Sequence, residues 1–133
     1  SSFSDCEIAA TDLFTSVRLF RYMWSGMLQG KSVAEGHIQQ GNKALNEVRI
    51  HPTQKPVALY DWLFQRYASP GMHVLDTHLG SGSSRIAAYK AGLDFTGFEI
   101  DRTYFDAAEK RFSKFADQIS LFYGEGADTY ENR

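Results

Sequence analysis

A short apolar stretch that ends in an acid and breaks into a glycine-rich loop constrains the fold of this chain more than any other feature. Residues Met72–Asp76 have the pattern of a strand, the loop Gly80–Ser83 follows, and Ser84–Ala91 has the composition of a helix. A strand, a glycine loop and a helix in this order place bare backbone N–H groups beside a small polar ligand. The stretch therefore predicts a ligand-binding turn of an α/β protein.

A second strand, predicted at Phe95–Ile100, carries acids at its end. Glu99 lies roughly 20 residues after the loop, a spacing at which a carboxylate can accept hydrogen bonds from both ribose hydroxyls of an adenosine ligand. We expect Glu99 to bind the ribose. Asp101 is the alternative ribose ligand, although we favour it as the cap of a helix that begins near Thr103.

The order of the remaining elements predicts a single α/β domain over residues 1–133, with a mainly parallel, twisted, Rossmann-like sheet flanked by helices. A length of 133 residues with 43% hydrophobic content suits one domain and is too short for two. We predict an edge strand over Val17–Trp24, a loop over Ser25–Asn46, a helix after Pro56 that stops before residue 69, and a helix over Thr103–Ala116.

Composition excludes several classes of protein. A formal net charge of -2 argues against coating nucleic acid by bulk electrostatics, so any basic surface must be local. The single cysteine, Cys6, excludes an internal disulfide, and no Cys/His group has the spacing of zinc ligands. No apolar run approaches the ~20 residues of a membrane span, and no signal-peptide pattern opens the chain, so we expect a cytoplasmic protein without membrane attachment.

The segment His51-Pro52-Thr53-Gln54-Lys55-Pro56, called HPTQKP below, precedes the glycine loop. Together the two stretches resemble the AdoMet-binding motifs of the amino-group DNA methyltransferases, which make N6-methyladenine or N4-methylcytosine. HPTQKP before the loop is the order of the permuted subgroup. The resemblance implies S-adenosyl-L-methionine as cofactor and a methyltransferase fold of which this chain is the C-terminal part.

Within this resemblance, Thr53 and Lys55 contact the methionine carboxylate, because HPTQKP begins a helix, where anions are favoured. His51 and Gln54 are secondary contacts. Asp76 accepts from the ligand's ammonium group or, alternatively, caps the loop amides. His78 replaces a phenylalanine of the family and is expected to touch the cofactor without acting as a base. The full set of expected cofactor contacts is His51, Thr53, Gln54, Lys55, Asp76, His78, Gly80, Ser81, Gly82, Ser83 and Glu99.

The family's catalytic tetrapeptide, of the form Asp/Asn/Ser-Pro-Pro-aromatic, should lie upstream of HPTQKP. The only prolines are Pro52, Pro56 and Pro70, so no Pro-Pro pair is present and no residue is assigned to catalysis. Because the chain also begins at Ser1 without methionine, we expect a piece of a longer protein, inactive alone, whose upstream segment carries the tetrapeptide.

Four functions remain open. The favoured one is an N6-adenine DNA methyltransferase, and an N4-cytosine enzyme is one alternative. A non-catalytic fragment of a degenerate prophage methyltransferase, which binds cofactor or DNA, is favoured by the missing tetrapeptide. A Rossmann-type dehydrogenase is disfavoured because HPTQKP has no place in one.

Residues 17–50 are the expected DNA-facing, target-recognition segment. Basic groups suit phosphates, and the interleaved aromatics suit splayed bases, although a half-buried edge strand is the alternative. Residues 3–7 and 17–26 most resemble phage and prophage adenine methyltransferases. The expected DNA contacts are Arg18, Arg21, Lys31, Lys43 and Arg49.

The segment Gln118-Ile119-Ser120-Leu121-Phe122 resembles the pentapeptide by which bacterial proteins dock on the replication sliding clamp. In such a peptide Gln118, Leu121 and Phe122 would make the contacts from an extended tail, here residues 118–133. A third sheet strand is the alternative. The last ten residues are polar, and we expect them to be disordered.

Overall fold

The computed structural model describes residues 9–13, 16–25, 28–30 and 47–123. In chain order these residues form β1 (Met23–Ser25), β2 (Leu28–Gly30), α1 (Val57–Tyr67), β3 (His73–Asp76), α2 (Ser83–Lys90), β4 (Asp94–Gly97) and α3 (Arg102–Tyr123). Strands β1 and β2 pair antiparallel, and β3 and β4 pair parallel. The predicted α/β class is confirmed.

The parallel pair β3 and β4 is continued by the backbone beyond the strand ends. Phe98 donates its N–H to the carbonyl of Asp76 at 2.9 Å, and Leu79 donates to the carbonyl of Phe98 at 2.8 Å. These bonds fasten the start of the glycine loop to the segment that follows β4. On β3, Val74 and Asp76 are half-buried, whereas His73 and Leu75 on the opposite face are exposed.

Helix α2 is the most buried element of this unit, with Ile86, Ala87 and Ala88 inside the core. It packs on α3 through Arg85, whose guanidinium lies 3.9 Å from the centre of the Phe112 ring and pairs with Glu109. The cation over the aromatic ring and the ion pair thus join α2 to α3.

Helix boundaries largely follow the predictions. Helix α1 begins after Pro56 and ends before Ser69, and Asp101 caps α3 through bonds from the N–H groups of Thr103 (2.8 Å) and Tyr104 (3.1 Å). No helix in the described ranges has the length and hydropathy to cross a membrane.

The predicted end of α3 at residue 116 is wrong, because the helix continues to Tyr123. Phe112, Phe115, Ala116 and Ile119 are all half-buried, so one helix face stays covered past residue 116. Residues 118–122 are therefore helical, and neither the extended tail nor the alternative strand is present there.

The N-terminal prediction is wrong in its extent. Of the predicted edge strand only Met23 and Trp24 belong to a sheet, in β1, and their partner is β2, which lies in the stretch predicted as a loop. Phe20 instead stacks on Tyr22 with ring centres 5.9 Å apart and packs on Trp62 of α1 at 5.5 Å. This aromatic packing takes the place of strand pairing. Residues 31–46 and 124–133, with the predictions made for them, lie outside the described residues.

Gly97 is required by close packing at the end of β4. A Cβ at this position would lie 2.8 Å from Cε1 of Phe95 and 3.0 Å from Cδ1 of Leu79. We expect Gly97→Ala to lower the free energy of unfolding by about 1 to 3 kcal/mol, because Phe95 and Leu79 must move to make room for the added Cβ. Urea denaturation measures the change. Adding Phe95→Leu to Gly97→Ala should restore part of the lost stability. A urea midpoint of Gly97→Ala equal to that of wild type would contradict the close packing at Gly97.

Candidate functional site

Three segments that are distant in sequence meet at Gly80. A Cβ on Gly80 would lie 3.8 Å from the ring of His51, so HPTQKP covers the glycine loop directly. The N–H of Gly80 donates to Oε2 of Glu99 at 2.8 Å. Gly80 has a φ of 54°, in the left-handed region that favours glycine. The structure thus brings HPTQKP, the loop and the end of the second strand to one place.

Glu99 is held by backbone donors on both sides. Its Oε1 accepts from the N–H of Asp101 at 2.9 Å, and its Oε2 accepts from Gly80. The N–H of Asp101 and then that of Gly80 hold the pKa of the Glu99 carboxyl below its ordinary range. Each carboxylate oxygen has a further lone pair, so the group can still accept ribose hydroxyls.

His51 is oriented by its own turn and by α3. Its Nδ1 accepts from the N–H of Thr53 at 3.2 Å and lies 3.1 Å from the Thr53 hydroxyl. Its ring lies 4.3 Å from that of Tyr104, between ring centres. Sequence reasoning missed Tyr104, because nothing in the local pattern of α3 shows that its first turn reaches HPTQKP.

Asp76 caps the loop, as the alternative interpretation predicted. Its Oδ1 accepts from the N–H of His78 at 3.0 Å, and its Oδ2 accepts from the hydroxyl of Ser84. Burial, and then the charge of Asp76, raise the pKa of the Tyr60 phenol on α1. A role for Asp76 towards a ligand's ammonium group stays a prediction.

His78 is exposed, with Nδ1 2.9 Å from the hydroxyl of Thr77. Within the described residues, no group of three His, Cys, Asp or Glu side chains could hold a metal ion.

The loop serines point inward. The hydroxyls of Ser81 and Ser83 lie 3.1 Å apart, both residues are buried, and Nη1 of Arg111 donates to the Ser81 carbonyl (2.8 Å) and the Ser83 hydroxyl (2.9 Å). Their hydroxyls therefore serve the packing of α2 and α3. The start of α2 can offer a ligand backbone N–H groups, since the first-turn N–H groups of a helix have no helical acceptor. The N–H groups of Leu79, Gly80 and Gly82 in the loop are bonded within the chain.

Gly82 allows α3 to approach this loop. Its φ is 74°, and a Cβ on it would lie 3.4 Å from Cβ of Ala108. The close approach keeps the start of α2 compact.

Gln54 holds the HPTQKP turn together. It is buried, its Oε1 accepts from the N–H of Ile50 at 2.8 Å, and its Nε2 donates to the carbonyl of Val48 at 3.0 Å. Its amide thus serves the chain itself, and this geometry does not favour the predicted ligand contact. The flanking Thr53 is exposed and Lys55 is half-buried.

Sequence reasoning also missed Glu47. Its carboxylate accepts from the N–H of Val57, at 3.2 Å from Oε2, and pairs with Arg111. It thus lies at the start of α1, where the sequence predicted the carboxylate of a ligand. Glu47 precedes HPTQKP without any recognisable motif, so only the folded chain reveals it.

The described part of the predicted DNA-facing segment keeps basic groups at the surface. Arg18, Arg21 and Arg49 are exposed, whereas Lys31 and Lys43 lie outside the described residues. At the other end of the chain, Leu121 is exposed on α3.

The lowered pKa of Glu99 gives a prediction about pH. Because the carboxyl has a lower pKa in the folded chain than the ordinary value of 4.5, its ionised form stabilises the fold above pH 4.5. That stabilisation is lost as the pH falls through the folded value. We expect Glu99→Gln to have a lower melting temperature than wild type near neutral pH. This difference in melting temperature should become smaller below pH 4.5. Calorimetry measures both melting temperatures. If their difference were the same at pH 7 and at pH 3, the ionised Glu99 carboxylate would not stabilise the fold.

Comparison with known proteins places this arrangement in a family. The model of the DNA methylase family of N6 and N4 methyltransferases matches residues 16–110. A protein of Escherichia coli (strain K12) named as a methylase, YubD, is 37% identical over 65 residues, which cover 49% of this chain and 29% of that protein. The type II methyltransferase M2.DpnII of Streptococcus pneumoniae is 34% identical over 61 residues, which cover 46% of this chain and 23% of that protein.

Two crystal structures of M1.HpyAVI are also similar to parts of the chain. The complex with SAM is 33% identical, covers 53% of this chain and 41% of its own, and superposes with a TM-score of 0.46. The second structure is 32% identical, with a TM-score of 0.43. The chain spans less than a third of the length of the two curated relatives, at 29% and 23%. Since the family match covers most of its residues, this chain belongs to the N6 and N4 amino-group DNA methylases.

Proposed function

We propose that this chain is the S-adenosyl-L-methionine-binding part of a DNA methyltransferase that acts on the N6 amino group of adenine. The observation that carries the proposal is the meeting of HPTQKP, the glycine loop and Glu99 at Gly80. The sequence assigned Glu99 by its spacing from the loop, and HPTQKP by a family resemblance that it shares with the loop. Their convergence supports one shared site.

The donors and acceptors at this place fit the cofactor. Glu99 offers carboxylate oxygens for ribose hydroxyls, and the start of α2 offers N–H groups. The Asp76 carboxylate, whose charge also acts on the Tyr60 phenol, suits an ammonium group, and Thr53 and Lys55 belong to HPTQKP. When bound, S-adenosyl-L-methionine supplies the methyl group. The residues of this chain bind and orient it.

The choice of adenine is supported by the resemblance of residues 3–7 and 17–26 to phage adenine methyltransferases, with N4 of cytosine as the rival acceptor. Arg18, Arg21 and Arg49 are exposed and suit DNA phosphates. Identifying the methylated nucleoside in reacted DNA separates the two acceptors, and requires a polypeptide that includes the catalytic tetrapeptide.

An upstream segment that carries the tetrapeptide is part of the proposal, and one face of the sheet has room for it. Leu75 is 62% exposed and Phe98 is 59% exposed, although parallel sheets are normally covered on both faces. The relatives are more than three times longer than the segments they share with this chain. Without that segment we expect the chain to bind cofactor and to transfer no methyl group to DNA.

The leading rival is a fragment that binds cofactor or DNA without catalysis, and the missing Pro-Pro pair supports it. Sliding-clamp docking through Gln118, Leu121 and Phe122 stays a prediction that the helical structure does not support. The final turns of α3 would have to unwind, because such peptides bind in extended form.

Titration calorimetry with S-adenosylhomocysteine tests the cofactor site. We expect saturable binding by the wild type and at least about tenfold weaker binding, or about 1.4 kcal/mol, in Lys55→Ala and in Glu99→Ala. Asp106→Ala is the control, since this exposed carboxylate on α3 pairs with Arg102. Wild-type protein that is folded and binds nothing would refute the proposal for this chain. Equal losses of affinity in Lys55→Ala, Glu99→Ala and the control Asp106→Ala would show that the losses do not arise at the cofactor site, and would contradict the assignment of Lys55 and Glu99.

A further inference from the structure

A single carboxylate connects the three helices around the loop. Glu47 accepts from the N–H of Val57, the first residue of α1, at 3.2 and 3.3 Å from its two oxygens. Its Oε1 also accepts from Nη2 of Arg111 on α3 and lies 3.5 Å from the hydroxyl of Ser83, the first residue of α2. Its side chain is 17% exposed and that of Arg111 is 14% exposed, so solvent screens the pair little.

Arg111 completes the connection on the other side. While Nη2 binds Glu47, Nη1 donates to the Ser81 carbonyl at 2.8 Å and to the Ser83 hydroxyl at 2.9 Å. A planar guanidinium can span these acceptors because its donors form a fixed fork. The glycine loop is therefore bonded to α3, and through Glu47 to the start of α1.

Electrostatics gives a reason for the carboxylate at this point. The N-termini of α1 and α2 both carry partial positive charge, and Arg111 adds a full charge beside them. Burial lowers the pKa of Arg111, and the neighbouring Glu47 opposes that shift. Without Glu47, a partly desolvated cation would face two positive helix ends.

We propose that Glu47 and Arg111 are positioning residues, which hold HPTQKP and the glycine loop at the fixed separation that lets both segments bind one cofactor molecule. The proposal rests on the cofactor site described above. The pair acts through the backbone of the loop and the start of α1, which it fixes before any ligand arrives.

The test compares this pair with a matched ion pair elsewhere. Glu47→Gln and Arg111→Lys keep side-chain size, but glutamine loses the charge and lysine cannot reach all the acceptors at once. Glu109→Gln and Arg85→Lys are the controls, because this pair also joins α2 to α3 and, among the described residues, makes no hydrogen bond or ion pair with the loop or HPTQKP. Affinity for S-adenosylhomocysteine is measured by calorimetry well below the melting temperature of every variant.

We expect affinity to fall about tenfold in Glu47→Gln and in Arg111→Lys, and to change less than about twofold in the controls. The controls should lower the melting temperature. Wild-type affinity in Glu47→Gln and Arg111→Lys would overturn the proposal. Tighter binding by Glu47→Gln would also overturn it, since Glu47 would then be a competitor for the place of the ligand's carboxylate at the start of α1.

Hydrogen exchange without ligand separates this proposal from the cofactor assignment. In Glu47→Gln we expect faster exchange at amides of residues 51–57 and 80–86 together, and no such joint change in Glu109→Gln. If wild type binds no S-adenosylhomocysteine, the proposed function fails. The hydrogen exchange of both segments in Glu47→Gln would still decide whether Glu47 couples them. Unchanged exchange in both segments would overturn the coupling.

Discussion

The attachment of the glycine loop to the segment after β4 is the interaction on which the rest of the site depends. Two backbone bonds, from Phe98 to Asp76 and from Leu79 to Phe98, join the loop to that segment, and the side chain of Glu99 adds a bond from Gly80. Because these donors are backbone N–H groups, the loop conformation is fixed by geometry that few substitutions can remove. His51 then packs on a loop that is already placed.

A second requirement is the balance of charge where helices begin. Glu47 accepts from the N–H of Val57 at the start of α1 and lies near the hydroxyl of Ser83 at the start of α2, and Arg111 binds the same carboxylate. Partly buried polar groups of this kind are stable only when each has a partner. The serine hydroxyls of the loop are used for this internal network, so the proposed cofactor contacts are backbone N–H groups, the carboxylates at the strand ends and side chains of HPTQKP.

The parts of the structure that local sequence predicts are those made by neighbouring residues. The strand, loop, helix and strand order, helix α1 and the Asp101 cap all follow from patterns a few residues long. Glu47, Tyr104 and Arg111 could not be found this way, since their partners lie up to 64 residues away and no motif marks them. The inward serines and the full length of α3 likewise depend on tertiary packing, which periodicity alone does not show.

The most direct test of the account is a nuclear magnetic resonance titration of ¹⁵N-labelled protein with S-adenosylhomocysteine. One shared site predicts that amide shifts at residues 51–55, 79–84 and 99–101 change together, with one saturation curve, while those at the C-terminal end of α3 stay constant. Changes confined to the glycine loop, or different curves for the loop and for HPTQKP, would contradict the claim that the two segments form one cofactor site.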